Sequence, residues 1–151
     1  MTTFTIIKKG NRYDIVKDGV QIVYGIRTGG FSTEKISFYF MDATEAGTYF
    51  EKRRFILKRS LYLMLPGSAE RVEISSKFAA FFFTYNDRLY ELRYGFFSFK
   101  GFFINDEKVG TLETLKSGVA RYSKQINFDI DSEDLLFLIY CYIGEHEFGV
   151  N

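Results

Sequence analysis

Nine consecutive residues near the C-terminus, Leu135, Leu136, Phe137, Leu138, Ile139, Tyr140, Cys141, Tyr142 and Ile143, carry no charge. Wound as a helix at 100° per residue, this run has apolar groups on every side, whereas a surface helix shows only a stripe. Just before it, Asp131, Ser132, Glu133 and Asp134 offer an N-cap and carboxylates for the unpaired amides of a first turn. The pattern predicts a helix over 133–143 that is buried all round. The run is far shorter than the roughly 20 residues needed to span a bilayer. Other parts of the same chain must therefore enclose it.

The first 130 residues read as strands that could do so. Phe4-Thr5-Ile6-Ile7 opens the series, and Arg12 to Val16 and Val20 to Tyr24 flank an Asp18-Gly19 hairpin signal. Ile36, Phe38 and Phe40 alternate. Residues 48–65 hold two strands ending at a Pro66-Gly67 turn, and Asn86-Asp87 and Asn105-Asp106 mark later turns. Residues 71–74, 78–85, 89–94, 96–100, 102–104, 109–115 and 122–130 supply further strands. With 18 Phe, 11 Tyr, no Trp and one Pro, the composition suits half-buried pleated surfaces. About twelve strands are more than a twisted open sheet carries without curling or closing. The expected fold is mainly β, one domain over 1–151, an antiparallel barrel of about twelve strands wrapped around the C-terminal helix. The alternative is a lipocalin-like or fatty-acid-binding-like barrel, with the helix outside and a small apolar ligand in the lumen.

Strands followed by one wholly apolar terminal helix resemble the tubby C-terminal-domain superfamily, which includes LURP-one-related proteins and phospholipid scramblases. The resemblance is strongest over 85–148. There Tyr90-Glu91-Leu92-Arg93, the segment from Phe102 to Gly110, Phe128-Asp129-Ile130-Asp131 and the helix follow the order of the smaller LURP-one-like members. It implies a barrel around a central helix, and binding at membrane lipid rather than a defined catalytic activity. Fold by itself does not transmit function.

Candidate sites are few. Lys52, Arg53, Arg54, Lys58 and Arg59 place five cations in eight residues. On an extended chain Lys52, Arg54 and Lys58 share a face, a candidate contact for lipid phosphates; the same row also reads as a solvated face. In 78–85 both alternating faces are apolar. One face can wrap the helix; the other, with Phe81, Phe83 and Tyr85 beside Ala79 as the candidate, needs covering by a loop of the same chain, a protein partner or a second copy. Asp129, Asp131, Glu133 and Asp134 lack the glycine and distal glutamate of a calcium loop and read as helix caps. Cys141 and His146, the sole cysteine and histidine, are five apart and share no helical face, so no nucleophile–base pair is expected. No zinc spacing, phosphate-cradling loop or nucleophile elbow occurs, and no cofactor or metal is expected.

The net charge of +1 speaks against nucleic acid as partner, since neutralising phosphates needs surplus cations. The charges are nonetheless divided. Residues 1–75 hold 12 Lys and Arg against 8 acids, and 76–151 hold 8 against 11. A lone cysteine and the lack of a leader-like N-terminus fit a cytoplasmic protein, peripheral to membranes at most. The expectation is a non-catalytic barrel module that binds a lipid surface or a protein partner.

Overall fold

The computed structural model describes residues 1–29, 33–54, 58–64 and 71–148, with backbone alone for 53–54 and 58–60. Twelve strands follow one another: β1 (Thr2–Lys9), β2 (Arg12–Lys17), β3 (Val20–Gly29), β4 (Thr33–Phe40), β5 (Glu45–Arg54), β6 (Lys58–Met64), β7 (Arg71–Lys77), β8 (Ala80–Tyr85), β9 (Arg88–Tyr94), β10 (Phe99–Ile104), β11 (Glu107–Lys116) and β12 (Arg121–Phe128). Each pairs antiparallel with its sequence neighbours. β1 also pairs with β12, from Thr2 opposite Phe128 to Lys9 opposite Arg121, and so closes a barrel. Closure leaves no strand edge for another chain to pair with.

Turn chemistry explains the tight connections. Asp18-Gly19, Asn86-Asp87 and Asn105-Asp106 all have positive φ at both positions. Two-residue turns of this hand match the twist of the flanking strands, and Asn, Asp and Gly tolerate them best.

Side chains alternate between the lumen and the outside. Phe4 and Ile6, Tyr13 and Ile15, Ile36 and Phe38, Leu61 and Leu63, Tyr90 and Leu92, and Ile126 and Phe128 all point inward and are buried. Among them runs the helix α1 (Leu135–Phe148). Its residues 138–145 are all buried, as only a helix enclosed by the barrel can be. Ring contacts reach it from around the wall: Phe38 stacks on Tyr140 at 4.0 Å, Tyr85 meets Phe137 at 5.3 Å, and Phe99 meets Tyr142 at 5.3 Å. The filled barrel is therefore the architecture, and the alternative with the helix outside is not.

The helix does not stand on the barrel axis. It approaches β4, β5, β6 and β9 most closely, and two glycines permit this. A Cβ on Gly144 would lie 2.4 Å from the ring of Tyr49, and one on Gly47 would lie 2.8 Å from the ring of Tyr140. β11 lies six strands from β5 around the ring, diametrically across the barrel, and faces the space that the leaning helix leaves.

Several boundaries differ from expectation. The helix begins at Leu135, not at 133, because Glu133 and Asp134 form the turn before it. Ser132 Oγ accepts from the Asp134 amide at 3.3 Å, and the Ser132 carbonyl accepts from the Leu135 amide at 3.2 Å. It also runs five residues past 143, because the charged side chains of Glu145 and Glu147 find partners inside the barrel. Phe78 lies in the turn before β8, and Phe96 and Phe97 lie in the connection between β9 and β10 rather than in strands. The Pro66-Gly67 turn lies outside the described residues.

Two substitutions test this packing. Leu138→Asp puts an unpaired charge at a fully buried site and should leave no folded protein; native circular dichroism from that variant would contradict the enclosed helix. Gly144→Ala should cost about 1–3 kcal/mol or more through overpacking, read as a lower urea midpoint, because the buried Tyr49 ring has no room to withdraw.

Candidate functional site: one end of the barrel

Strand direction sorts the connections into two ends of opposite chemistry. The described connections at one end are 18–19, 41–44, 86–87, 105–106 and 129–134. Together they carry Asp18, Asp42, Asp87, Asp106, Asp129, Asp131, Glu133 and Asp134, and no lysine or arginine.

The described connections at the other end are 10–11, 78–79, 95–98 and 117–120, and none contains an acid. Three of them carry apolar tips, with Phe78, Phe96, Phe97 and Val119 exposed at 98%, 93%, 96% and 92%. Lysine or arginine flanks each: Lys9 and Arg12, Lys77, Lys100, and Lys116 and Arg121, all exposed. The C-terminus of α1 comes out at this same end.

There the helix is anchored by charge. Glu147 extends from its last turn, an unfavourable place for a carboxylate beside the negative end of the helix dipole. Lys8 Nζ at 2.8 Å and an Arg27 guanidinium nitrogen at 3.1 Å compensate. Lys8 also donates to the Val119 carbonyl at 2.9 Å, which ties the connection between β11 and β12 to the network. Burial and the nearby Glu147 carboxylate push the hydroxyls of Tyr13 and Tyr122 well above the usual tyrosine range.

Beside this anchor, the leaning helix leaves a cavity of about 760 Å3 between its Tyr142, Glu145 and His146 and the strands from β8 round to β12. Phe96 and Phe97 line its mouth. On its inner wall stands Lys124, on the lumen side of β12 with Tyr122 and Ile126. Its ammonium lies 5.5 Å from the Tyr122 ring and 5.6 Å from the Tyr142 ring. It has no hydrogen bond or direct ion pair to another described residue; partial burial holds its pKa below the ordinary lysine value, against the opposing pull of the Glu147 carboxylate. His146 sits edge-on to Tyr122 and stacks on Tyr142. Partial burial and then the Lys124 charge lower its pKa from the ordinary 6.5.

The residues singled out in the sequence are placed differently from one another. Lys52 is half-buried near the end of β5, Arg54 is the last residue of β5 and Lys58 the first of β6. The run is thus two strand ends of one hairpin, with Arg54 paired to Lys58 and Lys52 to Ser60, rather than a single strand. This hairpin lies at the basic end; the Arg54 and Lys58 side chains, and Phe55 and Leu57, are outside the described set.

Phe81, Phe83 and Tyr85 need correction as a partner surface, because they line the inner face. Phe83 is buried and stacks on Tyr90 at 5.0 Å, Phe81 meets Tyr94, and Tyr85 meets Phe137 of the helix. Both edges of β8 are taken by its neighbours β7 and β9. The apolar surface lies instead on Phe78, Phe96 and Phe97, which the strand pattern had absorbed. Lys124 was also missed, although the lumen-facing alternation of Ile126 and Phe128 reaches it when extended backwards.

The acidic residues before the helix have structural partners: Asp134 accepts the Tyr90 hydroxyl at 2.7 Å, and Asp131 pairs with Lys17 at 3.1 Å. Burial raises the Tyr90 pKa to about 12, with Asp134 adding to it. Burial likewise pushes the Cys141 thiol well up, further raised by Glu145. Among the described residues no group of three His, Cys, Asp or Glu side chains is placed to hold a metal ion, and no helix is long and apolar enough to cross a membrane. No family model matches the chain, and neither a curated protein nor a solved structure matches it.

Two titrations check the electrostatics. Cys141 should resist a thiol reagent such as Ellman's until the chain unfolds, since the thiolate is the reactive form and burial opposes it. His146 should titrate below 6.5 by NMR. A depressed histidine favours the neutral ring in the folded state, so its contribution to stability is present above the ordinary 6.5 and is lost as pH falls through the folded value. A midpoint at or above 6.5 would contradict the placement of the ring beside Lys124.

Proposed function

We propose that this chain is a non-catalytic barrel module, of the tubby-like and LURP-one-related kind, that docks on an anionic membrane surface with its basic end. The observation that carries the reading is the set of three nearly fully exposed phenylalanines, Phe78, Phe96 and Phe97, on adjacent tips collared by exposed cations. Phenylalanine left in water forgoes about 1.5–3 kcal/mol that burial would return. In the interfacial region of a bilayer that energy is recovered, and each lysine or arginine near the surface adds about 1 kcal/mol. The connections of the opposite end carry eight acids, with Lys17 and Arg88 on their flanks; the remaining difference in charge between the ends favours approach to an anionic surface basic end first.

The reading also accounts for a net charge close to zero in a lipid-binding protein, since the two signs are separated along the barrel rather than mixed. A Cys141 buried on the helix and away from the cavity lining favours binding over catalysis. The ends of β5 and β6 that carry Lys52, Arg54 and Lys58 lie at this same end of the barrel, in keeping with the reading.

Co-sedimentation with vesicles tests the reading. Vesicles of phosphatidylcholine with phosphatidylserine should pull down the protein, and phosphatidylcholine alone should do so far less. Raising salt from 0.1 M to 1 M, which shortens screening from about 10 Å to about 3 Å, should weaken binding. Phe78→Ser alone should cost about tenfold in affinity. Exchange of Lys100, Lys116 and Arg121 for Glu should abolish the preference for anionic vesicles with little effect on melting temperature. Equal binding by all variants, or none by wild type, would refute the docking end.

A further inference from the structure

The cavity beside the helix combines features that plain surface docking does not use. Its wall between mouth and interior is aromatic and aliphatic, with Phe81, Tyr94, Phe99 and Leu112 among the lining residues. At the inner wall the chemistry changes. The half-buried ammonium of Lys124, with no direct ion pair, stands there, with the exposed Thr114 directly opposite on β11 and the exposed His146 on the helix. The carboxylate charge that acts on it, Glu147, is held directly by Lys8 and Arg27, and a lysine on a lumen face with no direct ion pair is costly to bury. The one carboxylate among the described lining residues, Glu145, accepts the Tyr49 hydroxyl at 2.6 Å from the opposite wall. A volume of about 760 Å3 is within the range of small-molecule sites.

We propose that this cavity receives one anionic amphiphile, with its carboxylate or phosphate at Lys124 and its apolar chain leaving past Phe99 and Phe97. The inference deepens the membrane-docking reading, because the mouth opens among the phenylalanines that would enter the bilayer and the chain could stay there while the head is drawn inward. Lys124 supplies the counter-charge, and the Thr114 hydroxyl and the imidazole N–H supply further donors for the anion. An apolar ligand without a charge would leave Lys124 unpaired in a drier site. A bare anion would leave the aromatic wall wet.

The test runs first without membranes. Octanoate and a short-chain phosphatidic acid, both below the concentrations at which they form micelles, are titrated into the whole protein and followed by amide NMR shifts. Octanol and inorganic phosphate each supply one half of the chemistry. The amphiphiles should move the resonances of Thr114, Lys124 and His146 and bind at least about tenfold more tightly than octanol or phosphate. Lys124→Met, which keeps the length and removes the charge, should weaken them about tenfold or more, as loss of a charge-assisted hydrogen bond does; Lys124→Arg should retain most of the affinity. No shift with any amphiphile, inorganic phosphate binding as tightly as the amphiphiles, or unchanged affinity in Lys124→Met would each overturn the proposal. Amphiphile binding without vesicle binding would sustain the site and sink the docking end. Vesicle binding by wild type and Lys124→Met alike, with no soluble binding, would do the reverse.

Discussion

The missing side chain at Gly144 decides where the helix stands. Tyr49 lies against the helix backbone at that point, closer than any Cβ would allow, and its hydroxyl is held by the next residue, Glu145. The helix is thereby drawn to the β5 side. Everything across the barrel follows from that displacement: large rings such as Phe99, Phe102 and Tyr142 fill part of the gap, and what they do not fill is the cavity. A glycine inside a helix ordinarily weakens it by up to about 1 kcal/mol relative to alanine. Here the close approach to Tyr49 gives that cost a structural return.

The two ends of the helix are held by different physics. At its start, hydroxyl and carbonyl groups of Ser132 cap the free amides, and Asp134 reaches across to the Tyr90 hydroxyl. At its finish, Glu147 meets Lys8 and Arg27 in a largely dehydrated setting. Buried ion pairs add little net stability, but breaking one leaves an uncompensated charge. They therefore fix register rather than strength: a shift of the helix along the lumen would strand Glu147 among apolar rings.

Much of this was legible in the sequence, because the architecture follows from the strongest local signals. Nine uncharged residues in succession demanded enclosure, and Asp-Gly and Asn-Asp turns with period-two alternation supplied the enclosing strands. The helix end was not legible, since Glu145, His146 and Glu147 look like solvated residues until Tyr49, Lys8 and Arg27 arrive from strands far away in the chain. Aromatic residues misled in both directions for the same reason. Phe81 and Phe83 read as a face in need of a cover because both faces of their strand are apolar, and Phe96 and Phe97 read as strand because their neighbours are aromatic. Hydrophobicity alone does not distinguish a lumen from a loop tip. The separation of charge between the ends was hidden because each end is assembled from short connections spread over the whole chain.

Closure of the barrel by β1 and β12 has a consequence for biosynthesis. Thr2 waits for Phe128, and the helix that fills the lumen is made later still. A chain emerging from the ribosome can form hairpins in sequence but cannot bury their inner faces until residues 135–148 are free. Contacts between the two ends of the chain are entropically expensive to close and slow to form. The aromatic lumen of this protein thus spends its synthesis exposed, and a chain cut short before the helix has nothing with which to cover it. Quality control would meet either a complete barrel or an aromatic, aggregation-prone ribbon, with few stable forms between them.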